Sequence, residues 1–299
     1  ERLEGMVAAT FTPMDENGDV NLSVIDKYAD WIASTPVKGV FVCGTTGEFS
    51  SLTIDERKAV LEKWVASAAK RFKVIAHVGS NCQRDAMELA SHAAQTGADA
   101  IASIAPSFFK PGTVDELVDF FAPICRAASE LPFYYYNMPS ITGVNLPVDK
   151  FLIEGKKKIP NLVGTKFTHN NLMEMGVCIE LEQHRFEVLH GYDEILISGL
   201  AMGAVAGVGS TYNYIPNVYH AIFESMKKNE VETARAWQMK SIRTVEVIIK
   251  YGGGVRGGKA IMKLIGLDCG SCRLPIKAFS TEEYEKLKGD LDAIKFFEF

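Results

Sequence analysis

The stretch Ile159-Pro160-Asn161-Leu162-Val163-Gly164-Thr165-Lys166-Phe167-Thr168 contains a short apolar segment that ends in a lysine. An apolar run of this length, with proline before it and polar residues after it, is typical of a strand buried on both faces. Burial disfavours the charged form of a lysine and lowers its pKa. A neutral amine can form a Schiff base with a carbonyl compound. Taken alone, the stretch favours the simpler interpretation, in which Lys166 points from the strand end into solvent.

The segments on either side of this stretch alternate between strand-like and helix-like patterns. Eight predicted strands, each followed by a predicted helix, fall within about the first 228 residues. The strands are predicted over residues 6–12, 39–43, 73–78, 100–105, 132–136, 159–168, 186–190 and 204–208. The helices are predicted over residues 23–32, 53–69, 84–95, 113–128, 147–154, 172–181, 194–202 and 216–227. Thr53 and Glu56 form a capping-box pattern, and Thr113 is a second predicted N-cap.

Alternating strands and helices with short connections predict a parallel sheet covered by helices. Eight such units predict an α/β fold, a closed (β/α)8 TIM barrel, over residues 1–228. Three further helices are predicted over residues 231–250, 256–265 and 281–293, and we expect this extension, residues 229–299, to pack on the barrel. The alternative is an open doubly wound sheet, but Thr12-Pro13-Met14 stands where that fold has a glycine-rich turn.

The composition excludes several kinds of partner. The 299 residues are 47% hydrophobic, and the formal net charge is −5. The chain has neither a basic run nor the ~18 consecutive apolar residues of a membrane helix, so we expect no nucleic-acid and no membrane partner. The first residues lack a signal-peptide core, which predicts a cytoplasmic location. Cys269 and Cys272 have CxxC spacing but no second pair, so incidental thiols are favoured over a redox or metal site, and no metal is expected.

Polar residues follow the predicted strands at the end where a barrel of this kind has its active site. Gly44-Thr45-Thr46-Gly47-Glu48 follows strand two, and its hydroxyls and backbone N–H groups could cradle a carboxylate. An ordinary glycine turn is the alternative. Tyr134-Tyr135-Tyr136 ends strand five, and alternation sends Tyr134 and Tyr136 to one face and Tyr135 to the other. Tyr136 could move protons, although tyrosines at strand ends are more often part of the core.

Two more strands end in polar residues. Gly191-Tyr192-Asp193-Glu194 follows strand seven, and the two carboxylates could accept hydrogen bonds from a polyhydroxylated substrate. Asp193 could also cap the next helix, and both interpretations can hold together. Ser210 follows strand eight as a further hydrogen-bond donor. Each signal is modest, but in a barrel all these strand ends converge on one mouth, and there Lys166 becomes the expected nucleophile.

Three motifs, in this order, resemble one family. They are Gly44-Thr45-Thr46-Gly47-Glu48, Tyr136-Asn137-Met138-Pro139 and Gly164-Thr165-Lys166-Phe167-Thr168. The chain resembles, over essentially its whole length, the pyruvate-dependent class I aldolases of the dihydrodipicolinate synthase and N-acetylneuraminate lyase family. The resemblance implies Schiff-base chemistry on Lys166 without a metal or other cofactor, and a homotetramer.

The variable positions are similar to those of the sialic-acid-cleaving members. Ile141 occupies the place where the synthases have a carboxylate-binding arginine, and an isoleucine cannot bind a carboxylate. The resemblance thus implies reversible cleavage of N-acetylneuraminate to N-acetylmannosamine and pyruvate. The alternatives are a related aldolase for another 2-keto-3-deoxy acid, a synthase-like enzyme, and a non-enzymatic binding protein that kept the fold.

The resemblance also implies roles for individual residues. It makes Lys166, Tyr136 and Thr46 catalytic, and it assigns substrate binding to Thr45, Thr46, Thr168, Gly191, Asp193, Glu194 and Ser210. Many members of the family carry, after strand four, a tyrosine that reaches a neighbouring subunit. Phe108 and Phe109 occupy that loop here and have no hydroxyl, which puts a three-membered hydroxyl relay in question.

Overall fold

Residues 2–299 are described by a computed structural model in which eight parallel strands close into a barrel. Neighbours in the chain are neighbours in the barrel, and the last strand pairs with the first. The strands are β1 (Gly5–Ala9), β2 (Gly39–Val42), β3 (Lys73–His77), β4 (Ala100–Ile104), β5 (Phe133–Asn137), β6 (Leu162–Phe167), β7 (Glu187–His190) and β8 (Ala206–Gly209). The predicted (β/α)8 barrel is therefore confirmed.

Helices surround the strands and continue past the barrel. They are α1 (Val24–Ala33), α2 (Ile54–Ala68), α3 (Gln83–Thr96), α4 (Val114–Arg126), α5 (Pro139–Thr142), α6 (Val148–Lys158), α7 (Leu172–Glu180), α8 (Leu196–Ala201), α9 (Pro216–Lys227), α10 (Val231–Lys250), α11 (Gly253–Leu264) and α12 (Thr281–Ala293). The capping box of Thr53 and Glu56 is confirmed, and Thr113 caps α4 in the same way. No helix within residues 2–299 has the length and apolar character of a membrane span.

The three predicted C-terminal helices correspond to α10, α11 and α12. The bounds of α10 and α12 agree with the predicted ranges, whereas α11 begins three residues earlier, at Gly253. Helix α10 packs along α9, the last helix of the barrel, and also contacts the turn that follows β7. The boundary between barrel and extension at residue 228 stays a prediction.

Two apolar layers form the core. One layer fills the barrel and includes Phe41, Ile75 and Leu189. The other lies between the strands and the surrounding helices. Tyr134 and Tyr136 belong to the inner layer and Tyr135 to the outer one, as strand alternation predicts. The inner layer therefore carries Tyr136 up to the mouth of the barrel.

The structure differs from the prediction at a strand end, at an additional short helix and at a helix start. Strand β1, predicted to continue to Thr12, ends at Ala9, and Met14 beyond it pairs with Val20 in an isolated antiparallel bridge. Helix α5 was not predicted; it begins with Pro139, which suits a first helical position, and ends at Gly143 in the left-handed region. The helix predicted over residues 194–202 is a 3-10 turn, Asp193–Ile195, followed by α8.

Candidate active site

A cavity of about 290 Å³ lies at the carboxyl ends of the strands. Its lining includes every residue that the sequence placed in the site, namely Thr45, Thr46, Tyr136, Lys166, Thr168, Gly191, Asp193, Glu194 and Ser210. These side chains follow or end five different strands, so only the closed barrel brings them together. The volume is close to that of sites for small metabolites.

Lys166 is buried and does not point into bulk solvent. Its exposed fraction is 4%, and its Nζ atom lies 4.2 Å from the ring centroid of Phe41 and 3.9 Å from that of Tyr136. Burial is the main cause that lowers the pKa of Lys166 from 10.5 to about 7, and the negative charge of Asp193 opposes this shift. Much of the amine is consequently neutral near pH 7, and a neutral amine can attack a carbonyl carbon.

Tyr136 lies beside Lys166 because the two residues are partners in the pairing of β5 with β6. Its hydroxyl oxygen is 3.1 Å from Thr45 Oγ1 and 3.1 Å from Met138 Sδ. Burial raises the pKa of Tyr136 to about 12, and the hydrogen bond with Thr45 opposes the rise. The phenol is therefore protonated at neutral pH and lies within reach of a threonine hydroxyl.

The loop that carries Thr45 and Thr46 is held in one conformation by its backbone. Cys43 and Glu48, at its two ends, have φ values of 55° and 57°, in the left-handed region that non-glycine residues rarely adopt. A Cβ at Gly47 would lie 3.1 Å from Cys43 Cα and 3.2 Å from Thr10 O, so the turn is too tight for a side chain there. The two threonines thus enter the cavity from a constrained turn.

Thr168 and Gly191 meet on the opposite side of the cavity. Within residues 2–299, the buried Oγ1 atom of Thr168 has no hydrogen-bond partner. A Cβ at Gly191 would lie 1.9 Å from this atom, so only glycine leaves the hydroxyl its space. A buried hydroxyl without a hydrogen-bond partner lowers the stability of the fold. Thr168 is therefore available to bond a polar group of a ligand.

Asp193 is fully buried and is held by the loop after β8. Its Oδ2 atom accepts hydrogen bonds from the backbone N–H of Thr211, at 2.9 Å, and from the Thr211 hydroxyl, at 2.6 Å. Burial raises the pKa of Asp193 to about 6, although these hydrogen bonds oppose the rise. Asp193 does not cap the following helix, so that interpretation of the sequence was wrong. Its carboxylate instead ties the end of β7 to the end of β8.

A buried polar network under Asp193 was not visible in the sequence. Gln238 of α10 donates to the Asp193 carbonyl oxygen at 3.0 Å and accepts from the N–H of Ile197 at 2.8 Å. The hydroxyl of Tyr219 bonds with Thr211 Oγ1 and lies 2.7 Å from Ser241 Oγ. The C-terminal extension therefore supports the turn that places Asp193 and Glu194 in the site.

The C-terminal extension also supplies part of the cavity wall. Five residues from α10 and the start of α11 line it, namely Val245, Ile248, Ile249, Gly254 and Val255, and Met138 and Tyr192 line it as well. Sequence reasoning missed these residues. The sequence signal for this wall was the apolar run Val247-Ile248-Ile249 near the end of α10. By itself such a run indicates a buried helix face and not a ligand site.

Three residues considered in the sequence lie away from the cavity. Ile141 is 61% exposed and is not among the described residues that line it. Phe108 and Phe109 are 77% and 87% exposed, with ring centroids 5.0 Å apart. Neither phenylalanine has a hydroxyl that could join the pair formed by Tyr136 and Thr45, and the hydroxyl of Ser107 in the same loop donates to Asn81 Oδ1 at 3.4 Å.

The six cysteines are not joined in disulfides. All six thiols are free, and burial raises the pKa of Cys272 to about 12, which makes it a weak nucleophile. Across the described part of the chain, no three or more His, Cys, Asp or Glu side chains cluster closely enough to hold a metal ion.

Comparison with known proteins places this geometry in a family. The model of the "Dihydrodipicolinate synthetase family" matches residues 2–294. The chain is 42% identical to the N-acetylneuraminate lyase of Mus musculus over 99% of its own length and 94% of that protein. It is 43% identical to the N-acetylneuraminate lyase of Gallus gallus over 98% of its length and 97% of that protein.

A solved structure agrees with these relatives. The structure of Proteus mirabilis N-acetylneuraminate lyase superposes with a TM-score of 0.96 at 35% identity, covering 99% of this chain and 100% of that chain. Both the family match and the relatives extend over nearly the whole sequence, and the barrel and its C-terminal helices are shared. The chain belongs to the dihydrodipicolinate synthetase family.

Proposed function

We propose that this protein is a class I aldolase, a carbon–carbon lyase that reversibly cleaves N-acetylneuraminate to N-acetylmannosamine and pyruvate. The observation that carries the proposal is the buried amine of Lys166, which lies between two aromatic rings at the base of a cavity lined by hydroxyls and carboxylates. The similarity to N-acetylneuraminate lyases over nearly the whole length of both chains supports the choice of substrate.

The reaction begins with attack of the neutral Lys166 amine on the C2 ketone of the open-chain sugar acid. Loss of water gives an iminium ion, which is an electron sink next to C3. Thr45 and Thr46 hold the substrate carboxylate beside this centre, on the constrained loop after β2. Holding the carboxylate fixes the ketone in front of the amine, which removes much of the entropic cost of the attack.

Cleavage of the C3–C4 bond requires loss of the C4 hydroxyl proton. As the C4 carbonyl forms, the electron pair of the broken bond moves to C3 and neutralises the iminium nitrogen, which gives an enamine. Tyr136, with Thr45 as its hydrogen-bond partner, is assigned to carry this proton, with the substrate carboxylate as an intermediary. The proposed catalytic role of Thr46 is to hold that carboxylate in place during the transfer. Protonation of the enamine at C3 and hydrolysis then release pyruvate and restore Lys166.

The remaining polar groups are assigned to the sugar. Thr168 offers its unpartnered hydroxyl, Gly191 leaves space beside it, and Ser210 is a further donor. Asp193 and Glu194 accept hydrogen bonds from sugar hydroxyls, although Thr211 already occupies one oxygen of Asp193. The proposed chemistry needs no cofactor, because the protonated imine serves as the electron sink.

The nearest alternative is an aldolase of the same family that acts on a shorter 2-keto-3-deoxy acid. A synthase-like reaction is disfavoured by Ile141, which offers no charge for a second carboxylate. A binding protein without catalysis is disfavoured by the lowered pKa of Lys166, because a ligand-binding lysine is more useful when charged.

A pyruvate-release assay tests the proposal and separates it from its alternatives. We expect pyruvate from N-acetylneuraminate at a higher kcat/KM than from a six-carbon 2-keto-3-deoxy acid. Borohydride reduction with pyruvate, followed by mass spectrometry, should place the adduct on Lys166. Preference for the six-carbon acid would favour the first alternative, and an adduct on another lysine would contradict the mechanism.

We also propose that the protein assembles as a homotetramer. Large apolar side chains are exposed after three neighbouring strands, namely Phe108 and Phe109 in the loop after β4, Ile141 in α5 after β5 and Met173 in α7 after β6. Exposed large apolar side chains that follow neighbouring strands are typical of an interface between subunits. A cytoplasmic location is proposed as well, supported by the six free thiols, which suit a reducing compartment. Sedimentation equilibrium of the pure protein tests the assembly.

A further inference from the structure

A buried ion pair joins the loop after β2 to the C-terminal extension. Lys259 Nζ lies 2.7 Å from Glu48 Oε1, and both side chains are 2% exposed. Glu48 closes the motif Gly44-Thr45-Thr46-Gly47-Glu48, and Lys259 lies in the middle of α11. Burying two charges carries a large desolvation cost, and a pair of this kind is weak evidence of a role in stability. Its position suggests another purpose.

The pair is anchored on the extension side by the segment that contains the two closely spaced cysteines. Lys259 Nζ donates to the carbonyl oxygen of Ser271 at 3.0 Å, and the backbone N–H of Arg273 donates to Glu48 Oε2 at 2.9 Å. The guanidinium of Arg273 in turn donates to the Ser51 carbonyl oxygen at 2.8 Å and pairs with Glu56. The extension thus forms hydrogen bonds with Glu48 and Ser51, at the two ends of the short turn that follows the motif.

The pair is linked on the other side to the hydroxyls of the proposed site. The backbone N–H of Glu48 donates to the carbonyl oxygen of Thr45 at 3.0 Å, so Thr45 and Glu48 belong to one turn. Glu48 has a left-handed backbone with φ of 57°, a conformation that a non-glycine residue keeps only where its surroundings impose it. The buried carboxylate is the part of Glu48 that those surroundings hold. A displacement of the Glu48 carboxylate would therefore shift the Glu48 backbone, and with it the Thr45 carbonyl oxygen to which that backbone is hydrogen-bonded.

We propose that Glu48 and Lys259 are positioning residues that hold Thr45 and Thr46 in the conformation that binds the substrate carboxylate. The C-terminal extension would then belong to the pyruvate-binding half of the site as well as to the cavity wall. This inference rests on the proposed function, because it assigns the carboxylate of a 2-oxo acid as the group that the positioned threonines receive.

The test compares pyruvate binding in variants of the full-length protein. Lys166 is trapped with borohydride over a range of pyruvate concentrations, and intact-protein mass spectrometry gives the half-saturating concentration. The variants are Glu48→Gln and the double variant Glu48→Gln/Lys259→Met, in which replacing both charges limits the loss of stability. The control is Glu283→Gln in α12. This change removes a carboxylate that pairs, at 2.9 Å, with Arg256, which lies on α11 as Lys259 does.

We expect the half-saturating pyruvate concentration to rise about tenfold in both Glu48 variants, because a small displacement of a binding group weakens its contact. Glu283→Gln should stay within about twofold of the wild type. Folded Glu48 variants with wild-type half-saturation would overturn the proposal. So would loss of folding in both, since the pair would then serve the fold alone. If the wild type itself forms no adduct on Lys166, the proposed function fails instead.

Discussion

The Nζ atom of Lys166 lies 3.9 Å from the centre of the Tyr136 ring, while the hydroxyl of Tyr136 lies 3.1 Å from Thr45. The ring and the hydroxyl of one tyrosine therefore have different neighbours. The ring contributes to the apolar surroundings that lower the lysine pKa, and the hydroxyl belongs to the polar side of the cavity. Removing the hydroxyl and removing the ring should have different consequences.

The trapping rate should depend on pH through the lowered pKa of Lys166, which is about 7. Only the neutral amine attacks pyruvate, so the initial rate of trapping with cyanoborohydride should rise from about pH 6 to about pH 8 and then level off. An exposed lysine would instead give a rate that still rises towards about pH 10. Such a continued rise would contradict the assignment of a buried, largely neutral amine.

The same shift has a consequence for stability. The pKa of Lys166 falls from 10.5 to about 7 on folding, so the folded protein binds fewer protons than the unfolded chain between these values. Below about pH 7 the folded protein carries the full cost of a buried charge, and this cost disappears as the pH rises towards 10.5. Lys166→Met should therefore raise the free energy of unfolding by roughly 3–5 kcal/mol at neutral and acidic pH.

Urea denaturation at about pH 6.5 and about pH 10 measures this difference. The difference in the free energy of unfolding between Lys166→Met and the wild type should be much smaller at the higher pH. Lys288→Met is the matched control, because Lys288 is exposed and its replacement should change stability little at either pH. An equal increase in the free energy of unfolding at both pH values would show that the packing of methionine, and not the loss of the buried charge, stabilises the variant.

Tyr136→Phe removes the hydroxyl and keeps the ring over Lys166. Turnover of N-acetylneuraminate should fall by roughly 100-fold or more, since the assigned proton carrier is lost. Trapping of pyruvate should persist with a similar pH dependence, because the apolar surroundings of the amine remain. Single-turnover trapping and steady-state pyruvate release, measured on the same preparation, separate these two effects.

The neighbouring strand position provides the control for this variant. Tyr135→Phe also removes a buried hydroxyl from β5, but Tyr135 packs outside the barrel, with its ring 4.7 Å from that of Phe151. Turnover should stay near that of the wild type. Equal losses in both variants would mean that the effect comes from the strand and not from a proton carried by Tyr136.

Gly191→Ala should impair sugar binding, because its Cβ would lie 1.9 Å from Thr168 Oγ1. We expect a loss of about 1–3 kcal/mol in stability from the forced displacement. The KM for N-acetylneuraminate should rise, whereas the half-saturating concentration for pyruvate trapping should change little. An unchanged KM in the folded variant would remove Thr168 and Gly191 from the proposed sugar site.

A glycine in open space serves as the reference for this substitution. Gly289 lies in α12, and no atom comes within 4 Å of a Cβ built there. Gly289→Ala should raise stability by about 0.5–1 kcal/mol, because alanine loses less backbone entropy in a helix. Kinetic constants should not change, so any loss in Gly191→Ala can be assigned to its location.

Periodicity predicted the barrel because each strand and helix carries its own local pattern. The strand ends follow from these patterns by position alone, and Lys166, Asp193 and Ser210 lie at three of them. Local signals also explain the main miss in the fold. Helix α5 has only four residues, too few for a periodic pattern to appear.

Contacts between distant parts of the chain could not be predicted in this way. Nothing in the local sequence connects Glu48 with Lys259, or Gln238 with the backbone of Asp193. Each of these partners follows from how α10 and α11 lie on the barrel. For the same reason the sequence left open whether Asp193 caps a helix, and the packing of Thr211 against its carboxylate decided the matter.

The proposed pyruvate contacts lie after β2 and on β5 and β6, whereas most of the proposed sugar contacts follow β7 and β8. A crossover within α7 between two relatives would thus exchange the aldehyde partner while it keeps the nucleophile. Thr168 would be the one sugar contact left behind, and Lys259 the one residue of the pyruvate half that is exchanged. Divergence within such a scaffold can proceed by recombination as well as by point substitution. Most residues proposed to act on pyruvate thus precede, along the chain, most residues proposed to bind the sugar.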